Sequence, residues 1–244
     1  MNTTVDINCD LGEGFEFDEQ LMQLISSCNI ACGGHYGDEK SITETIKLAQ
    51  RYDVKIGAHP SYPDKTNFGR KVLSLGLDEL QASLEYQLEL FKKVAESLDA
   101  TIHHIKPHGA LYNEGAVNMT VANCLLKAIH NVFSDIPIYT PYNSEISDLA
   151  INYNLPVIYE AFADRNYEDD GRLVSRFKEN ALIYDVDTAV KHVLSILGNE
   201  LLTHTGKRIK IKADTFCVHG DNPKALELVK GLTKKLNEQG CTIA

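Results

Sequence analysis

The chain has 244 residues, 43% of them hydrophobic, and 24 Lys+Arg against 34 Asp+Glu give a formal charge of −10. Such an acidic balance repels phosphate backbones and anionic membrane surfaces, so neither nucleic acid nor a membrane is an expected partner. No stretch approaches the ~20 apolar residues of a membrane span, and MNTTVDINCD at the start lacks a basic region followed by an apolar run, so a cytoplasmic location is expected.

Taken in chain order, short β-branched runs alternate with longer segments of helical period. TTVDINCD (3–10) leads to a short helix near 18–26, and SCNIACGG (27–34) to a helix over 38–51. VKIGAHP (54–60) precedes a helix over 77–98, in which Leu80, Leu84, Gln87, Leu88, Phe91 and Val94 form one stripe at three- and four-residue steps. IHHIKPHG (102–109) is followed by a helix over 117–131, and IPIYTPYN (136–143) by one over 144–152. PVIYEAFAD (156–164) leads into a long segment, 165–184, whose alternating apolar positions suggest a hairpin leaning over a site. A helix over 186–202 follows, then IKADTFCVHG (211–220) and a last helix over 223–238, with Asn222 as N-cap and Pro223 at the first helical position.

Seven βα units with right-handed crossovers predict one α/β domain over 1–244, a distorted seven-stranded parallel (β/α) barrel. An open doubly wound sheet is the alternative. The six cysteines fall mostly in apolar runs and read as small buried hydrophobes rather than disulfides or a zinc site.

The polar residues that look out of place sit at the C-terminal ends of the strands, where parallel α/β folds build their sites. The first strand supplies Asn8, Asp10 and Glu13, the second Asn29, His35 and Asp38, and the third His59. Lys106 and His108 follow, then Tyr142, then Glu160, Asp164 and Arg165, and last His219 and Asp221. Each also has a structural reading. Asp10 could cap a turn, Glu13 could be a loop carboxylate, His59 could order the turn before Pro60, and Asp38 stands where an N-cap belongs. A buried Lys106 needs a carboxylate or an anionic substrate atom, and strand alternation puts the second cation, His108, on the same face. At most one of His103 and His104 can face a barrel interior, while His130, His192 and His204 read as surface residues. His219 and Asp221 could form a general-base pair, ligate metal or stabilise a turn. A divalent metal held by strand-end His and Asp is possible, but no HExxH-type signature assigns it. No phosphate-binding motif for ATP is visible either.

With these blocks in view, the series DINCDLGEG (6–14), SCNIACGGHYGD (27–38), IGAHPSYPD (56–64), NFGRK (67–71), HIKPHGALYN (104–113), EAFADRNYEDDGRLVSR (160–176) and DTFCVHGD (214–221) resembles the LamB/YcsF family from about residue 5 to 240. Gly34, Tyr36, Ser61 and Lys71 depart from the family pattern, and none of them is a candidate catalytic residue. The resemblance implies a barrel related to polysaccharide-deacetylase (NodB-like) hydrolases. It further implies the role of the A component in ATP-dependent 5-oxoprolinase, opening the lactam of pyroglutamate together with two further subunits, B and C. On that basis Asp10 is expected to be the base that activates water, with Glu13 or Asp221 as a second carboxylate. Lys106, His108 and Arg165 would stabilise an oxyanion or phosphate. Asn8, Asn29, His35 and His59, with Glu160 and His219, would shape the substrate pocket. The alternatives are a stand-alone metal-dependent amidohydrolase or deacetylase and a non-catalytic subunit that only binds substrate.

Overall fold

The computed structural model describes residues 3–176 and 178–244. Its elements run β1 (Thr3–Leu11), α1 (Asp18–Met22), β2 (Ser27–Ala31), α2 (Glu39–Tyr52), β3 (Lys55–His59), α3 (Leu77–Ser97), β4 (Ile102–Ile105), α4 (Gly109–Val117) and α5 (Met119–Val132). They continue with β5 (Ile138–Pro141), α6 (Glu145–Ala150), β6 (Val157–Phe162), α7 (Val186–Leu197), β7 (Glu200–Leu202), β8 (Arg208–Lys210), β9 (Thr215–Val218), α8 (Ala225–Glu238) and β10 (Cys241–Ile243). Strands β1 to β6 pair in sequence order, β6 pairs β9, and β9 returns to β1, so seven parallel strands close a barrel as the alternation predicts. β10 adds a short parallel edge beside the start of β1.

Strand alternation divides the strands into two chemistries. Ile7, Cys9 and Leu11 on β1, Cys28 and Ile30 on β2, and Ile56 and Ala58 on β3 face outward and pack under the helices as the apolar core. Asp6, Asn8 and Asp10 face inward, so the barrel holds a polar network instead of the branched apolar layers usual in eight-stranded relatives. At its lower end, Asp6 accepts from Ser27 Oγ at 2.9 Å and Thr215 Oγ1 at 2.6 Å. Two residues further along β1, Asn8 Nδ2 donates to Thr215 Oγ1 at 2.8 Å and Glu160 Oε1 at 3.0 Å. His104 is the inward member of its histidine pair, 2.7 Å from Asn29 Oδ1, and a Cβ at Gly57 would collide with its ring.

The stripe predicted on α3 is buried throughout, and Gln87 within it has a polar task. Its amide brackets Ser61 after β3, accepting from the backbone N–H at 3.0 Å and donating to the C=O at 2.9 Å. Asp38 caps α2 by accepting from the Ser41 N–H, as its position suggests. All six cysteines are free thiols, five of them buried.

Several elements differ from the expectation. α4 is hidden in the sequence because Gly109 and Gly115 dilute its periodicity, and α8 begins at Ala225, so Asn222 caps the preceding turn through the Lys224 N–H at 3.0 Å. The helix expected to reach 202 stops at Leu197, and the chain forms the antiparallel hairpin β7–β8. Among the described residues, segment 165–184 makes two isolated antiparallel bridges, Arg165 with Leu182 and Tyr167 with Leu173, rather than a full hairpin. Hairpin β7–β8 clamps that segment, since Thr203 and Thr205 both donate to Asp169 and His204 Nε2 lies 2.7 Å from Glu168 Oε2.

His192, read as a surface residue, is instead buried on α7 beside the Tyr167 ring, and burial pushes its pKa down to about 4. A histidine with a lowered folded pKa refuses a proton that the unfolded chain accepts, so stability falls as pH drops from about 6.5 to about 4. His192→Phe should remove about 3 kcal/mol of that acid-side loss. Urea unfolding at pH 7 and pH 4.5 checks this, and an unchanged pH slope in the variant contradicts it.

Candidate active site

Lys106, just beyond β4, points into the top of the barrel and is 2% exposed. Its Nζ lies 2.8 Å from Asp10 Oδ1, 3.0 Å from Glu160 Oε1 and 3.0 Å from Cys217 Sγ. Burial opposes the ammonium, but Asp10 and Glu160 together hold its pKa well above the usual lysine value. Burial likewise opposes the Asp10 carboxylate, which Lys106 and then His59 hold well below its usual range. Asn29 Nδ2 ties the cluster to the layer beneath, donating to Asp10 Oδ1 and Asn8 Oδ1, each at 2.8 Å.

Three histidines surround Asp10. His59, ending β3, has Nδ1 2.7 Å from the Lys106 carbonyl and Nε2 3.5 Å from Asp10 Oδ2. His108, at the N-terminus of α4, has Nε2 2.9 Å from the Phe68 carbonyl and Nδ1 2.9 Å from His59 Nε2. Phe68 adopts φ 54°, left-handed backbone that turns its carbonyl toward this ring. His35 stacks on His108 with centroids 3.7 Å apart, and its Nε2 lies 2.9 Å from Glu13 Oε1. Burial, with His35 and His59 beside it, keeps His108 well below the ordinary histidine pKa, so it is a neutral imidazole and not the second cation expected from the sequence. Burial and then His59 push His35 down to about 2. Glu13 is raised by burial and by Asp10 and Asp221. Two groups bring one donor atom from each residue within 4.8 Å of one another: Asp10 with His59 and His108, and Glu13 with His35 and His108.

The opposite wall comes from β6 and β9. His219 Nδ1 lies 3.0 Å from Asp164 Oδ1, and Asp164 also accepts from the His219 backbone N–H at 3.2 Å. Burial outweighs the pull of Asp164 and leaves His219 below its usual pKa. The His–Asp pair anticipated for this strand end therefore exists, but with Asp164 in place of Asp221. Asp221 instead pairs with Arg70 and with Arg176, the latter at 3.2 Å. Arg165 is 5% exposed; one terminal nitrogen donates to the Val174 carbonyl at 2.6 Å, and Nε is buried without a partner among the described residues. Burial and the neighbouring Arg176 lower its pKa to about 10.

These walls enclose a cavity of about 1310 Å³, roofed by segment 165–176 and the β8 region. Asp10, His59, Lys106, His108, Glu160, Arg165 and His219 line it, together with Tyr142 and Arg70. Asn8, Glu13, Asn29 and His35 stand behind that lining and position it. Arg70 and Arg176 carry no signal in the sequence; both sit in loops, within NFGRK and VSR, and only the folded chain brings them to Asp221. Two departures from the family pattern meet here, because a Cβ at Gly34 would collide with Ser61 Oγ and Gln87 Oε1.

The LamB/YcsF family model matches residues 5–244. The chain belongs to the LamB/YcsF family. It is 41% identical to the A component of 5-oxoprolinase from Clostridium beijerinckii, over 98% of this chain and 96% of that one. The corresponding Staphylococcus aureus protein is also 41% identical, with 98% of each chain covered. The crystal structure of the lactam utilization protein from Thermus thermophilus superposes with a TM-score of 0.92 at 30% identity, covering 99% of both chains. This LamB/YcsF barrel therefore has a full-length structural counterpart.

Because Lys106 bridges two buried carboxylates, Lys106→Met should cost about 3–5 kcal/mol of stability. Adding Glu160→Gln should recover part of that loss. Urea midpoints of the single and double variants test this, and a loss below about 1 kcal/mol would show that the cluster tolerates an unpaired charge.

Proposed function

We propose that this chain is the A component of an ATP-dependent 5-oxoprolinase, a hydrolase that opens the cyclic amide of 5-oxo-L-proline to L-glutamate. The observation that carries this reading is a base and an unpaired cation facing one cavity: His219 oriented by Asp164, and Arg165 buried without a carboxylate partner among the described residues. Full-length relatives named for this reaction and a structural counterpart named for lactam utilization support the substrate class.

The lactam is a resonance-stabilised amide, and ATP overcomes its inertness. Transfer of the γ-phosphoryl group to the lactam oxygen, with ADP leaving, makes the ring carbon electrophilic; water adds there and the C–N bond opens to give a γ-glutamyl phosphate, which a second water hydrolyses to glutamate and phosphate. Arg165 receives the anionic group, the substrate carboxylate or the transferred phosphoryl. We assign water activation to His219 rather than Asp10. The Asp10 carboxylate is held ionised by Lys106 and is thus a weak base, whereas a neutral imidazole with Nδ1–H on a carboxylate presents Nε2 for a proton. Lys106 and Asp10 set the field at the cavity floor, and Asp221 holds the two arginines at the rim. Glu160 fixes Lys106 and Asn8, while His108 and His59 shape the wall.

The chain carries no recognisable nucleotide motif, so ATP is expected to be engaged together with the B and C components in a hetero-oligomer. The cytoplasm, where ATP is available, is the proposed location. The assay is glutamate formation from 5-oxo-L-proline, with and without ATP, by this chain alone and by the reconstituted complex. The complex should turn over only with ATP and the isolated chain hardly at all; robust turnover by the isolated chain contradicts the proposal. In the complex, His219→Gln should lower kcat by about 100- to 10,000-fold with the melting temperature and the assembly of the complex preserved, and near-normal turnover would remove His219 as the base.

A further inference from the structure

We propose that Asp10, His59 and His108 form a binding site for one divalent transition-metal ion, open to the cavity. The decisive feature is that one donor atom from each of the three residues converges within 4.8 Å of the others. His59 Nδ1 faces the Lys106 carbonyl at 2.7 Å and His108 Nε2 faces the Phe68 carbonyl at 2.9 Å. A carbonyl oxygen can only accept, so each of those nitrogens carries a proton, and His59 Nε2 and His108 Nδ1 are the nitrogens that face a further partner. Those two nitrogens lie 2.9 Å apart. One shared proton holds two ring nitrogens at that distance, and a metal ion that replaces the proton holds them as co-ligands.

Asp10 supplies the third donor. Its Oδ1 is occupied by Lys106 and Asn29, while Oδ2 remains free 3.5 Å from His59 Nε2. Ligands about 2.1 Å from a metal lie roughly 3.0–3.4 Å apart; His59 Nε2 stands 2.9 Å from His108 Nδ1 and 3.5 Å from Asp10 Oδ2, and the three residues offer donor atoms within 4.8 Å of one another. The two backbone carbonyls play the outer-shell part that fixes tautomer and ring orientation in metal sites.

Ring planes choose between the two groups of donors. An in-plane lone pair requires the ion to lie in the plane of each ligating ring. His59 and His108 are inclined at 83°, so their planes intersect, and an ion on that line serves both. His35 and His108 are parallel within 7° at 3.7 Å, so no ion can lie in both planes. His35 is therefore excluded as a co-ligand of His108, and its Nε2 is engaged by Glu13 at 2.9 Å. Two imidazoles and one carboxylate favour zinc, cobalt, iron or manganese over calcium or magnesium, and three protein ligands leave a coordination position facing the cavity.

The site stands whether or not the substrate is a lactam, and its test contains neither lactam nor ATP. Metal-stripped chain is titrated with Co²⁺ while visible absorption and melting temperature are followed. The expected result is ligand-field absorption saturating at about one equivalent with a melting temperature raised by several degrees. His59→Gln should abolish the signal and His35→Gln should retain it. In the unaltered chain, Zn²⁺ should shift the ¹⁵N resonances of His59 Nε2 and His108 Nδ1 but not those of His35, which keeps the test decisive if a variant fails to fold. Absence of saturable binding, or equal loss in the His35 variant, or ¹⁵N shifts at His35 in place of His59, overturns the proposal.

Discussion

A single ammonium buried where the strands converge sets the terms for the rest of the structure. Lys106 is surrounded by Asp10, Glu160 and Cys217, drawn from β1, β6 and β9, so three strands that meet across the barrel closure are joined by one charge. Removing an ion from water costs several kcal/mol, and only near-ideal partners offset it. That requirement explains why the adjacent interior is amide, hydroxyl and imidazole rather than aliphatic. Asn8 donates to Glu160 Oε1, Asn29 donates to Asp10, and His104 meets Asn29, each passing the need for a partner one strand further round.

The arrangement places fixed charge beneath a cavity whose other groups remain uncommitted. Asp10 and Glu160 are spoken for by Lys106, whereas Arg165 has no carboxylate among the described residues and the side chain of His219 is held at one nitrogen only. Groups with satisfied partners give rigidity, and those without them are available to a ligand. Segment 165–176 carries Arg165 and Arg176 over the mouth, and the β7–β8 hairpin holds it there through Asp169 and Glu168. The groups open to a ligand thus come partly from loops, and their placement from a barrel stiffened by its own polar interior.

Much of this was legible in the amino-acid sequence, because strand alternation and strand ends are local properties. The inward row Asp6, Asn8, Asp10, the barrel closure and the clustering of Lys106, His59 and His219 all follow from period and position. The demand of Lys106 for a carboxylate was readable too, although not which carboxylates would meet it. Pairings across the barrel escaped, since nothing in DNP or NFGRK indicates that Asp221 will meet Arg70, or that His219 will choose Asp164, 55 residues away, over its near neighbour. Charge states escaped for the same reason. His108 beside Lys106 reads as a cation until burial and two further rings are placed around it. His192 reads as a surface residue until segment 165–184 covers it, and the hairpin β7–β8 was lost because its three-residue strands are too short to show a period.

The polar interior depends on Lys106 being a true buried cation, and nitrogen-15 NMR of the lysine side chains measures that directly. Its carboxylate partners raise its pKa, so its ammonium signal should persist, protected from solvent exchange, through pH values at which surface lysines near 10.4 have begun to lose their protons. A Lys106 resonance that reports a neutral amine at or below about pH 10 would contradict the account, because Asp10 and Glu160 would then lack the charge that orders them.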